Sequence, residues 1–367
     1  MNILVIDLWM PTPNRDTASQ RVVQLLRLLR EGINSVTFAG DDVSSHGRPS
    51  VHQLQEEGIS VLHTQFDGPI EAYLEQFGHE FDLIILSRLE VGKKYINLVR
   101  DFAPQALIIY DTTDIHFLRR FRRAKVTGNI GMLKAAIEAK QDELQIVRNA
   151  HCTWVVSNEE KRILEKECPE AMIERLSIIQ EIQEYIPAFT DRSDLLFIGA
   201  FPFHPNPDAM EYYYNEIRPL LAGNLPGVKT TVVGSSPPQW LLDRNGPDFQ
   251  VTGFVPDLRP YLEKCRLTIA PLRFGAGVKG KVILSMSYGV PVVASSIAAE
   301  GILAVEGQDI MVADNPHNFS EKIATLYQDE TLWQTISENG RDIVREHFSK
   351  ENARNALHRI YHGLGVG

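Results

Sequence analysis

One pattern constrains this chain more than any other. Short runs of Ile, Leu and Val, apolar on both faces, alternate with amphipathic stretches of helical period. In the first half the runs are residues 2–7, 35–40, 59–63, 83–87, 106–111 and 153–157. In the second they are residues 195–199, 230–234, 250–255, 267–271, 291–295 and 310–313. A strand that is apolar all round is covered by helices on both sides, which is how a parallel strand reads. Helical stretches such as 19–31, where Val22, Leu25, Leu26 and Leu29 share a face, and 131–149, 208–221 and 279–288 lie between the runs. Strand alternating with helix gives an α/β fold with a doubly wound parallel sheet, and two such blocks give two Rossmann-like domains.

The chain of 367 residues has room for two domains. The break is expected in the polar segment 178–193, which contains Pro187. This sets an N-terminal domain at 1–187, a C-terminal domain at 188–349, and a final helix, 350–367, that packs back on one of them. Lys plus Arg number 37 and Asp plus Glu 47, a net charge of −10, which argues against a sequence-blind nucleic-acid binder. Cys152, Cys168 and Cys265 are odd in number and widely spaced, so neither a disulfide framework nor a zinc site is expected. The first residues read as a buried strand rather than a leader, and no apolar run reaches the ~18 residues of a membrane span. The expected compartment is the cytoplasm.

Ligands of such sheets bind beyond the carboxyl ends of the strands. After the run ending at Ala270, residues 271–281 read Pro-Leu-Arg-Phe-Gly-Ala-Gly-Val-Lys-Gly-Lys, and a helix follows. Small residues let backbone amides approach an anion, a helix start adds a positive dipole end, and Arg273, Lys279 and Lys281 add charge. The loop reads as a pyrophosphate cradle, with a flexible loop bearing solvated cations as the plain alternative. It nearly spells a P-loop, but Val282 stands where a magnesium-binding hydroxyl is required. Glu300, after the next strand, reads equally as a partner for sugar hydroxyls or as a helix cap.

Several segments resemble the donor domain of glycosyltransferase family 4. They are Gly234-Ser235, residues 251–258 (Val-Thr-Gly-Phe-Val-Pro-Asp-Leu), 270–281, 288–294 (Tyr-Gly-Val-Pro-Val-Val-Ala) and Ala299-Glu300-Gly301. Residues 11–21, 110–118 and 203–208 are similar to a bacterial subgroup that builds surface polysaccharides and glycoproteins, so nearly the whole chain is covered. The resemblance implies a GT-B fold with both domains facing a central cleft, and a retaining hexosyltransferase that needs neither metal nor cofactor. It implies a nucleotide-diphosphate sugar as donor and a glycan, lipid-linked or protein acceptor. It places the donor against Gly199, His204, Asn206, Gly234, Ser235, Phe254, Val255, Arg273, Gly275, Ala276, Gly277, Val278, Lys279, Lys281 and Glu300. His116 would meet the donor sugar, with Asp114 beside it and Lys279 stabilising the leaving group. Arg15, Asp16, Ser19, Arg21 and Asp111 fall on the acceptor side.

One departure stands out. The family carries two glutamates eight positions apart, the second of which holds the ribose; here these positions are Ala276 and Leu284. Leucine accepts no hydrogen bond. A non-catalytic GT-B relative, such as a sugar-recognition or partner subunit, and a GT-B sugar-nucleotide epimerase therefore stay open beside the transferase. Arg119, Arg120, Arg122, Arg123 and Lys125 form a basic stretch with no acid among them, read either as a contact for membrane phosphates or as a solvated helix face.

Overall fold

The computed structural model describes residues 1–13, 16–32, 34–42, 48–62 and 68–366. The first unit holds Thr17–Ile179 together with Met1–Pro13 and Ala353–Gly367, and the second is built mainly of Gln180–Asn352. The chain changes unit at Ile179 and Gln180, inside the polar segment singled out above.

In the first unit the described elements include β1 (Asn2–Trp9), α1 (Thr17–Leu29), β2 (Ser35–Asp42), β3 (Ser60–Leu62), β4 (Leu83–Ser87), α2 (Leu89–Phe102) and β5 (Leu107–Asp111). They continue with α3 (His116–Thr127), α4 (Ile130–Asn149), β6 (Cys152–Val155), α5 (Asn158–Glu167) and β7 (Ile173–Arg175). The strands form one sheet in the order β3-β2-β1-β4-β5-β6-β7, with every pair parallel. Period-two alternation splits β1 between two cores. Ile3 and Val5 join Val22, Leu25, Leu26 and Leu29 of α1. Leu4 and Ile6 join Val91, Ile96 and Val99 of α2 and Ile146 and Val147 of α4.

The second unit contains β8 (Ser193–Ile198), α6 (Pro205–Tyr212), β9 (Thr230–Val233), β10 (Phe249–Gly253), β11 (Cys265–Ala270), α7 (Gly280–Ser287), β12 (Val292–Ala294) and β13 (Met311–Val312). Its sheet runs β10-β9-β8-β11-β12-β13, again all parallel. The last helix, α8 (Lys350–Gly363), contributes Ala353, Ala356, Leu357 and Ile360 to the α1 face of the first unit's core.

Each sheet reverses its strand order once, beside β1 and β4 in the first unit and beside β8 and β11 in the second. These are the switch points at which doubly wound sheets bind ligands. Two details differ from the sequence expectation. β7 is only three residues long, too short for alternation to mark it. The helix expected over 208–221 breaks into α6, a π-turn (Tyr213–Ile217) and a further helix starting at Arg218, because Pro219 has no N–H to continue the ladder. Among the described residues no helix is long and apolar enough to cross a membrane.

Candidate functional site

At the switch point of the second unit, β8 ends at Ile198 and β11 at Ala270. Gly199 follows β8 and donates its N–H to Val233 O at 2.9 Å. Gly234 follows β9 and comes so close that a Cβ there would stand 1.8 Å from Gly199 O. No side chain fits at that position, so the strand ends are bare backbone. Asn206, buried on α6, folds over Gly199 and donates Nδ2 to Ala200 O at 2.6 Å.

The loop from β11 to α7 holds the three cations picked out in the sequence, in three different environments. Gly277 takes φ 67°, a left-handed turn, and the Lys279 ammonium donates to its carbonyl at 2.5 Å. Lys279 is only 7% exposed and its stem runs against Gly275. It occupies the cap position of α7, and its side chain does not cap that helix start; lysine has nothing with which to accept. Arg273 is exposed, and Asp208 of α6 holds it in a two-pronged pair, Nε to Oδ2 at 2.9 Å. The Tyr212 ring lies 5.3 Å away, and the bond to Asp208 raises the guanidinium's pKa. Lys281 turns toward β8. Its Nζ donates to Asn206 Oδ1 at 2.5 Å and sits 4.2 Å from the Phe197 ring centre. Burial, and secondarily the charge of Lys279, pull its pKa down to about 7.

The remaining donor-side residues surround these groups unevenly. Gly275, Ala276 and Gly277 are buried, and Val278 is partly exposed. His204 is exposed at the cap of α6, Phe254 is 44% exposed after β10, and the Ser235 carbonyl accepts from Phe201 N at 3.0 Å. Glu300 ends the short helix Ser296–Ala299, whose start is capped by Ser295. Leu284 is 9% exposed and packs with Leu196, Val233 and Val290, with Val255, Leu258 and Tyr261 at the rim. The position that carries a carboxylate in the family is thus part of an apolar surface.

In the first unit, β5 delivers Asp111 and leads through Asp114 to His116 at the start of α3. His116 is 3% exposed; its Nδ1 lies 3.0 Å from Asp114 O, and the Glu90, Asp114 and Glu143 carboxylates stand 3.5, 3.6 and 3.7 Å from its ring nitrogens. The amides at the start of α3 are already taken. Glu160 of α5 accepts from Ile115 N at 2.9 Å, and Glu143 of α4 accepts from His116 N at 3.2 Å and Phe117 N at 2.9 Å. Glu143 is fully buried and also accepts from Tyr110 Oη at 3.0 Å; burial and this carboxylate raise the tyrosine's pKa far above its ordinary value. Asp114 pairs with Arg119.

Two residues expected on the acceptor side belong to the core instead. Arg21 and Asp111 are 4% and 0% exposed and grip each other through two hydrogen bonds, of 2.6 and 2.9 Å. Arg21 also donates to Leu176 O at 3.1 Å. A charge buried this deeply persists only with such a partner, so the pair fastens α1 to β5. Asp16 and Ser19 are partly exposed around the start of α1, and Arg15 lies outside the described residues. Sequence reading missed Asp208, Glu143 and Glu160. Each acts on a partner 26 to 65 residues away in the chain, and no local pattern reports such a pairing.

The class of protein follows from the architecture: two all-parallel Rossmann-like sheets, each with one switch point, make the GT-B fold. Structural similarity agrees along the whole chain. A sucrose-phosphate synthase from Thermosynechococcus elongatus superposes with a TM-score of 0.75 at 15% identity, covering 99% of this chain and 98% of that one. HepE of Anabaena, solved in complex with UDP-glucose, superposes with a TM-score of 0.74 at 15% identity, covering 99% of this chain and all of the other.

Sequence similarity points in the same direction. Residues 192–329 match the model of the group 1 glycosyl transferases. An uncharacterized glycosyltransferase of Methanocaldococcus jannaschii is 26% identical over 110 residues, 29% of this chain and 31% of its own length. An uncharacterized 44.6 kDa protein in the cps region of Klebsiella pneumoniae is 21% identical over 173 residues, 45% of each. The chain therefore resembles the group 1 glycosyltransferases, by sequence in its second unit and by fold throughout. It spans less than half the length of the two curated relatives.

Proposed function

We propose that the protein is a glycosyltransferase that binds a nucleotide-diphosphate sugar in its second unit, with the diphosphate at the start of α7. One arrangement carries this reading: a helix start at the switch point with the buried Lys279 in its cap position and Lys281 in its first turn, preceded by a loop whose Arg273 is oriented by Asp208. As the bond from sugar to diphosphate breaks, negative charge grows on the leaving oxygens. Fixed cations and helix amides offset that charge where it develops, without a metal. Lys279 exchanges the Gly277 carbonyl for a phosphate oxygen, and Arg273 keeps Asp208 as its orienting partner.

A hydroxyl of a glycan, lipid-linked or protein acceptor receives the sugar. By family resemblance the transfer retains anomeric configuration and belongs to bacterial surface-glycan synthesis. The cps location of the Klebsiella relative supports that setting. The test is a panel of nucleotide sugars assayed for binding, hydrolysis and transfer. Sugar-dependent binding with slow hydrolysis supports the reading; a chain that binds no nucleotide sugar contradicts it. A second reading rests on Leu284, whose apolar packing leaves the ribose without its usual carboxylate. A non-catalytic relative would bind a sugar or glycan and turn over no donor in the same panel.

A further inference from the structure

Helices α3 and α4 form a hairpin whose tip is built unlike the rest of the first unit. Thr127 at the end of α3 reaches Met132 at the start of α4, 3.6 Å from oxygen to sulfur. Phe117, Phe121 and Ala124 turn α3 inward, and Ala136, Ala139 and Leu144 do the same for α4. The outward face of α4 nevertheless carries Ile130, Leu133 and Ile137, spaced i, i+3, i+7, with exposures of 83, 42 and 47%. Val126, at the end of α3, adds a fourth exposed apolar side chain at 36%. Single exposed apolar residues are ordinary, but a stripe of this kind marks a surface that something covers.

Charge identifies the covering partner. Residues 116–137 hold Arg119, Arg120, Arg122, Arg123, Lys125 and Lys134 and no acid, in a chain of net charge −10. Arg119 and Arg120 face back to Asp114 and Glu90, while Lys125 and Lys134 are exposed beside the stripe; Glu138 is the first acid beyond it. A second copy of this chain would set one basic hairpin against another, and like charge disfavours that pairing. A nucleic acid would meet the cations but has no use for three aligned aliphatic side chains. An anionic bilayer satisfies both features, because phosphates take the lysines and arginines while the isoleucines and leucine enter the interface. We infer that the tip of the α3–α4 hairpin docks this protein on anionic lipid membranes. The inference does not depend on the transferase reading, and its test needs no donor.

The experiment is co-sedimentation of the full chain with vesicles of phosphatidylcholine alone and of phosphatidylcholine mixed with phosphatidylglycerol. Binding to the mixed vesicles and little to the neutral ones is expected. Two double variants test the two components: Ile130→Ser with Leu133→Ser, and Arg123→Glu with Lys125→Glu. Each should weaken binding by at least about tenfold, since one cation near an anionic surface contributes on the order of fivefold and each aliphatic side chain adds burial. Their unfolding midpoints should stay at the wild-type value, because the altered side chains lie at the surface. Absence of binding to the mixed vesicles overturns the proposal, as does binding that either double variant leaves unchanged. A concentration-dependent dimer that Ile130→Ser with Leu133→Ser abolishes assigns the face to a second copy and also overturns it.

Discussion

Two helix starts in this molecule, one per unit, are finished in opposite ways. Both follow a central strand of a parallel sheet, and both present backbone amides and the positive end of a helix dipole. At α3 the protein supplies its own anions: Glu143 and Glu160, buried and drawn from other helices, accept from the first three amides. At α7 it supplies cations instead: Lys279 in the cap position, Lys281 in the first turn and Arg273 in the approaching loop. The first arrangement is complete without a ligand and fixes His116 in place. The second concentrates positive charge, which suits it to the anion proposed above. The same local geometry serves architecture in one unit and, in the function proposed here, binding in the other, with the charge of the surrounding side chains setting the two apart.

The largest effect should come from removing the anion partner at α7. Lys279→Ala takes away the charge proposed to stabilise the leaving diphosphate, and turnover of the nucleotide sugar should fall about 100- to 1,000-fold. Steady-state kinetics on the active donor measures it, with the unfolding midpoint as control; unchanged turnover breaks the comparison on its binding side. Glu143→Ala tests the other helix start. It strands the amides of His116 and Phe117 and the Tyr110 hydroxyl, and should cost about 3 kcal/mol of stability in denaturant titration. Nucleotide affinity of the protein that remains folded should not change. A variant of wild-type stability would show that α3 does not depend on this carboxylate.

A smaller effect sharpens the account of Lys281. Its pKa, near 7 in the free protein, is set by burial and by Lys279. A bound diphosphate favours the charged form and raises that pKa, so the complex holds more protons than the free protein. Above about pH 7 binding should take up a fraction of a proton, approaching one as pH rises and vanishing in acid, where Lys281 is charged in both states. Calorimetry in buffers of different ionisation enthalpy measures this uptake, and Lys281→Met should abolish it. The depressed pKa also costs the unliganded fold some stability below about pH 7, a penalty that shrinks as pH climbs toward the ordinary lysine range. The smallest effect belongs to Asp208→Asn. The pair with Arg273 lies near the surface and is worth about 1 kcal/mol or less, so nucleotide affinity should fall only a few-fold in the same calorimeter.

What the sequence made legible follows from what is local. The all-apolar runs marked the strands because a parallel strand covered on both faces needs apolar residues at every position. The loop 271–281 was visible because glycines, cations and a helix start lie consecutively in the chain. What stayed hidden depends on residues distant in sequence. Arg21 and Asp111 looked like polar groups at strand ends, but 90 residues of chain bring them together into a buried pair. His116 carried a motif, whereas the carboxylates that fix its helix come from α4 and α5, where Glu143 and Glu160 look like ordinary acids of amphipathic helices. Lys281 looked equivalent to Lys279, and only packing against Phe197 and Asn206 separates their environments.

The central claim is that the start of α7 binds the diphosphate while the start of α3 is already satisfied. Calorimetric titration of nucleoside diphosphates, UDP, GDP and ADP in turn, into wild type, Lys279→Ala and Glu143→Gln tests it most directly. The account predicts that at least one of them binds wild type, binds Lys279→Ala at least about tenfold more weakly, and binds Glu143→Gln as it binds wild type. Binding that Lys279→Ala leaves intact, or that only Glu143→Gln weakens, would contradict it.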